Sequence, residues 1–193
     1  MFYVLLGLIV VAVFYVLGTY NKFVTTKTRI NASIQEVGNQ LKRQADLIPN
    51  LVESVKGYME HEKEIFDEIT QARKAASGAV DEGDPQKMLE ASSKLERAIA
   101  PIRAVFESTP QLQAVEPTVH LMDELRDTAD KLMYSRRTLI DLTADYNAMV
   151  VTVPSNLIAN MFGFKPLTGL QMPDSTEALT VKEEDLKTPE VKL

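Results

Sequence analysis

The sequence contains no cysteine and no tryptophan, and it has only two histidines. Without cysteine there are no disulfides, no thiolate catalysis, no Cys-ligated zinc, no iron–sulfur cluster and no lipoprotein acylation. Two histidines are too few for a His-rich metal site. Basic residues are in deficit, with Lys and Arg numbering 21 against 27 acids for a formal charge of −6. No basic run is present, so the chain lacks the phosphate-neutralising surface of a nucleic-acid binder, and no nucleic-acid partner is expected. The nucleophile elbow GxSxG, the P-loop and GxGxxG are also missing. What remains is a globular mixture of 193 residues, 45% apolar and 25% charged, which is one domain by length.

The first landmark is FYVLLGLIVVAVFYVLGTY, residues 2–20, which carries no charged side chain. As a helix it extends about 28 Å, close to the hydrocarbon thickness of a bilayer. Phe2, Tyr3, Leu5, Leu6, Ile9, Val13, Tyr15, Leu17 and Tyr20 are its expected lipid contacts. Tyr3, Tyr15 and Tyr20 stand toward the ends, where amphipathic rings favour the interface. A cleaved signal peptide would need a basic leader, a shorter apolar run and a small-residue cleavage site, and none is found. Lys22, Lys27 and Arg29 follow the segment, with no acid before Glu36. Positive flanks stay in the cytoplasm, so the N-terminus is expected outside and the larger domain inside.

Beyond residue 20 the periodicity is helical throughout. Ile30, Ile34, Val37, Leu41, Ile48, Val52, Val55, Met59, Phe66 and Ile69 recur at three- and four-residue steps. The spacing predicts one helix running from the membrane to Gly78, kinked at Pro49 but not stopped there. Asp84-Pro85 is an N-cap followed by a first-turn proline and opens a second helix through Phe106. Residues 107–116 form a connector around Pro110, and Pro117 opens a third long helix that ends at Pro154. No segment alternates with period two, so the fold class is all-α. The expected architecture is an N-terminal transmembrane helix running into an antiparallel bundle of three to four long helices. The expected divisions are an anchor at 1–20, a bundle at 21–166 and a polar, disordered tail at 167–193.

Candidate chemistry centres on His61-Glu62. A zincin helix needs a second histidine at 65, which is Ile65. A di-iron bundle needs Glu three residues before each histidine, but Tyr58 and Pro117 stand there. Glu60, His61 and Glu64 offer at best a weak surface site, so no metal, cofactor or reaction is expected. The apolar stripe at Leu47, Ile48, Leu51, Val52, Val55, Tyr58 and Met59 is wider than one helical neighbour needs. It is explained either by a helix sandwiched between two others or by a surface for another subunit. NLIANMFGF places Met161, Phe162 and Phe164 in a second apolar cluster. On a three-helix path this cluster lies far from the bilayer, where it caps its own bundle or docks on a second copy. The expected assembly is therefore a homo-oligomer tethered in the membrane plane.

QLKRQADLIPNLVESVKGYMEHE (residues 40–62) closely resembles the signature of the LemA family of bacterial membrane proteins. TPQLQA, DELRDTADKLMYSRR before Tyr146-Asn147, and PSNLIANMFGFKP extend the resemblance over about residues 20–166. Members often carry an Ala-Trp pair shortly before QLKR, where this chain has Gln35-Glu36-Val37-Gly38. The resemblance implies an anchored helical bundle in the bacterial cytoplasmic membrane and supplies no reaction. Asp46, Leu47, Pro49, Asn50, Leu51, Lys56, Gly57, Tyr58, His61 and Glu62 are signature positions rather than catalytic ones. Three functions are compatible with it: a self-assembling scaffold, an envelope-stress accessory that binds a protease or another membrane protein, and, remotely, a metal-dependent enzyme using His61.

Overall fold

The computed structural model describes residues 1–59 and 62–170. Helix α1 runs unbroken over Phe2–Val55, 54 residues and about 80 Å at about 1.5 Å per residue. Its first part is a bare apolar rod, and residues 2–15 are all exposed. From Phe23 onward one face is buried at Ile30, Val37, Leu41, Ile48, Leu51 and Val55. The expected continuity of the apolar segment with the bundle is met, and no joint separates the two. Pro49 lies inside α1 on an exposed position, and the helix continues through it as anticipated.

The continuation to Gly78 is corrected. The helix stops at Val55, passes into a 3-10 turn at Lys56–Tyr58, and restarts as α2 at Lys63–Glu82. Gly57 weakens helix here, and the Met59 N–H donates to the Lys56 carbonyl at 3.2 Å. Met59 itself is buried, which explains why the apolar register looked uninterrupted. No stripe residue falls between Met59 and Phe66, and most of that gap is the charged run EHEKE.

Helix α2 folds back along α1 and presents small residues, Ala72, Ala76 and Ala79, to the interior. Gly83 at φ 68° ends it, and the Asp84 carboxylate caps α3 (Pro85–Ser108) by accepting from the Gln86 N–H at 2.8 Å. Gly38 marks the crossing, because a β-carbon built there would lie 3.7 Å from Val80 and 3.5 Å from Met88. A short α4 (Pro110–Gln113) leads into α5 (Glu116–Val151). The Gln113 amide donates to the carbonyls of Phe106 and Glu107 and so closes the end of α3. Helix α5 returns antiparallel to α1. Arg43 meets Glu124 at 3.2 Å near one end, and Phe23 meets Tyr146 near the other.

The chain thus makes four passes rather than three, and this changes what lies where. Helix α6 (Ser155–Phe162) follows α5 and comes to rest beside Tyr20, at the membrane-proximal end rather than the distal one. The expectation that NLIANMFGF lies at the end away from the apolar segment is overturned, because the reversal between α1 and α2 adds one pass to the path. The wide stripe at Leu47–Met59 is likewise explained within the chain, since α1 packs against α2, α3 and α5 together. Two apolar clusters result. The distal one joins α1, α2, α3, α4 and the first half of α5, while the proximal one joins Phe23, Ile30, Leu139, Leu142, Tyr146, Val150 and Ala159.

Candidate functional site

The proximal end is the most specifically built part of the molecule. Helix α5 closes where the Thr152 hydroxyl donates to the Ala148 carbonyl at 2.8 Å and the Ser155 hydroxyl reaches the Met149 carbonyl at 2.7 Å. Two turns of α6 follow, and Gly163 at φ 73° reverses the chain. That left-handed conformation favours glycine, and it lets the Phe164 N–H donate to the Ala159 carbonyl at 2.9 Å. Phe164 then stacks on Phe23 with centroids 4.6 Å apart and planes 13° from parallel. Phe23 in turn meets the Tyr146 ring edge-on at 5.8 Å.

After Gly163 the chain runs back along the bundle as a strap through residue 170. Asn147 holds it with both halves of its amide, Nδ2 donating to the Leu167 carbonyl and Oδ1 accepting from the Leu167 N–H, each at 2.8 Å. Leu167 and Leu170 pack on the proximal cluster. Sequence reasoning placed Asn147 in a motif without giving it a task. Its signal was an asparagine inside a long helix, where that residue is a poor helix former unless its amide bonds elsewhere.

The signature residues occupy the opposite tip. Leu51 is buried and Leu47 half-buried, whereas Asp46, Pro49, Asn50, Lys56, Gly57 and Glu62 are exposed, as is the ring of Tyr58. His61 and Glu60 lie outside the described residues, as do residues 171–193 of the expected tail, whereas its first residues, 167–170, are not disordered as expected but packed on the proximal cluster. Among the described residues, no three His, Cys, Asp or Glu side chains are placed to hold a metal.

Between the two ends is a polar layer. Gln44 is buried, and its carbonyl oxygen has no hydrogen-bond partner among the described residues. It lines a cavity of about 200 Å³ with Ser92, Glu96, Asp130 and Arg136. Burial lowers the pKa of Arg136, with Glu96 opposing the shift. Burial also raises that of the Tyr146 phenol. The buried hydroxyls of Ser92, Thr128 and Thr143 donate to carbonyls of their own helices, so they serve the scaffold rather than a reaction.

An N-terminal helix apolar enough over 18 residues to cross a membrane, continuing into an antiparallel helical bundle, defines a class of bundle proteins with a candidate membrane span. The LemA family model matches residues 33–182, and the chain belongs to the LemA family. It is 25% identical over 169 residues to magnetosome protein MamQ 2 of Paramagnetospirillum magneticum, covering 76% of this chain and 62% of that protein. A similar match, 24% over 169 residues with the same coverage, is to magnetosome protein MamQ of Magnetospirillum gryphiswaldense. Protein LemA of Metamycoplasma hominis is 22% identical over 161 residues, covering 82% of this chain and 72% of that one. The chain thus spans about three fifths of the length of the MamQ relatives.

Proposed function

We propose that this LemA-family chain is a non-enzymatic structural protein, anchored in the bacterial cytoplasmic membrane and self-associating through its cytoplasmic rod. The observation that carries this reading is the unbroken α1: one helix is both the apolar segment and the central strut of the bundle. Such a strut fixes the direction in which the bundle stands from the bilayer, as a scaffold requires and a flexibly tethered enzyme does not. Support for lateral contact comes from the outer face of α5, where Met133 and Tyr134 are 65% and 73% exposed and Ile140 is also exposed. Tethering in one plane raises the effective concentration, so modest contacts between such faces become productive. The closest competing role is a rod that presents its tip to another membrane protein, and the exposed Pro49, Asn50, Lys56 and Tyr58 favour that role.

Mild detergent extraction followed by native mass measurement tests the proposal. Multiples of one chain are expected, and Met133→Glu with Tyr134→Glu shifts the mass toward the monomer while helicity is retained. A wild-type particle that is monomeric both in detergent and in native-membrane extracts overturns self-assembly. A stoichiometric second protein points to the tip instead.

A further inference from the structure

We propose that α6 and the turn before it form a second membrane contact, lying in the interfacial layer of the bilayer that residues 2–20 cross. The inference rests on the anchor reading, and its test below separates the two. Depth comes first. The Phe162 ring lies 4.8 Å from that of Tyr20 and the Phe164 ring 5.8 Å from it. Tyr20 closes the uncharged run, where aromatic rings favour the boundary between hydrocarbon and water. Helix α6 is therefore held at the level where the bilayer ends.

Orientation comes next. Helix α6 turns Ile158 and Ala159 into the bundle, with exposures of 4% and 0%. On the other side Val153, Leu157 and Met161 recur at four-residue steps and are 79%, 67% and 62% exposed. Phe162 at 47% extends this surface to Tyr20 on α1, and Val151 at 67% is also exposed. An apolar face of this kind, continuous with a membrane-spanning helix and at its boundary, is the pattern of an interfacial helix.

Charge agrees. No acidic residue occurs between Asp145 and Asp174, or before Glu36, while Lys22, Lys27, Arg29 and Lys165 lie in those stretches. Helix α6 and its flanks carry no acid, and Lys165 and Lys22 adjoin the stacked Phe164 and Phe23, which suits an anionic headgroup layer. The occupant is thus lipid rather than a second copy of the chain.

The chain has no cysteine, so single labelling sites are clean. Full-length protein carrying an environment-sensitive fluorophore at Met161→Cys, and separately at Val153→Cys, would be reconstituted into vesicles of phosphatidylcholine and phosphatidylglycerol. Companion sites are Val10→Cys in the anchor and Asn50→Cys at the tip, and the quenchers are lipids brominated at defined depths. The expected result is blue-shifted emission at 153 and 161, with quenching several-fold above that at 50 and strongest for shallow bromines, while 10 is quenched by deep ones. If 10 is quenched but 153 and 161 match 50, the interfacial contact is overturned and the anchor stands. If 10 is not quenched, the anchor reading itself fails. Blue-shifted emission at 161 that ignores brominated lipid and is lost on diluting protein with lipid assigns the face to a second copy, and likewise overturns the proposal.

Discussion

Asn147 shows how much one side chain can hold. Its amide engages both polar groups of the Leu167 backbone, and both bonds are 2.8 Å long. Asn147→Leu removes them and leaves a peptide unit unsatisfied, a loss of about 1–3 kcal/mol. Hydrogen exchange should localise the effect to residues 164–170 and leave the distal cluster protected. Tyr146 makes a different demand. Its folded pKa is raised by burial, so the native state keeps the phenol proton that the unfolded chain gives up from about pH 10. Stability from this group is therefore complete below that pH and falls as pH rises through and above it. Comparing Tyr146→Phe with wild type by thermal melts at pH 8 and pH 11 should show a smaller alkaline loss in the variant. At the other end, Leu51 is 1% exposed, and Leu51→Ala should cost about 2–5 kcal/mol through lost burial and the cavity left behind. Pro49→Ala should not lower Tm, since an interior proline costs a helix up to about 3 kcal/mol.

At the scale of elements, the two glycines in the left-handed region set two of the places where the chain reverses. Gly163 has open space around it, so Gly163→Ala meets no side chain and bears only the backbone cost, about 1–2 kcal/mol. A lower Tm, with the Phe23–Phe164 stack loosened in near-ultraviolet dichroism, is the expected outcome. Helices α3 and α5 were legible in the sequence because Asp84-Pro85 and Pro117 announce their starts and their stripes are regular. The break after Val55 was not, because period counts register and Met59 keeps the register across a turn that has no proline. That single miss inverted the location of α6, since each helix reversal exchanges near for far. The strap was missed for a related reason. Residues 163–170 carry no period, and their hold on the bundle comes from an amide twenty residues back along the chain.

For the whole molecule the consequence of four passes is that cations from two separate stretches of sequence come together at the end of the bundle beside the apolar segment. Lys22, Lys27 and Arg29 come from α1, and Lys165 is brought to the same level by α6 and the Phe164–Phe23 stack. The positive side of the anchor is thus set by two separate stretches of sequence, both on the bundle's side of residue 20. Translocating that end would carry these four cations across the bilayer, which the retention of positive flanks in the cytoplasm opposes. The bundle should therefore be cytoplasmic. Asn50→Cys at the distal tip tests this, because about 30 residues of helix, roughly 45 Å, separate it from Tyr20. A membrane-impermeant maleimide should leave this site unlabelled in intact cells and label it fully after permeabilisation. Labelling of intact cells would place the bundle outside and reverse the assignment. Replacing Lys22, Lys27 and Arg29 with Gln should raise the inverted fraction, and adding Lys165→Gln should raise it further if α6 takes its place at the boundary before orientation is fixed.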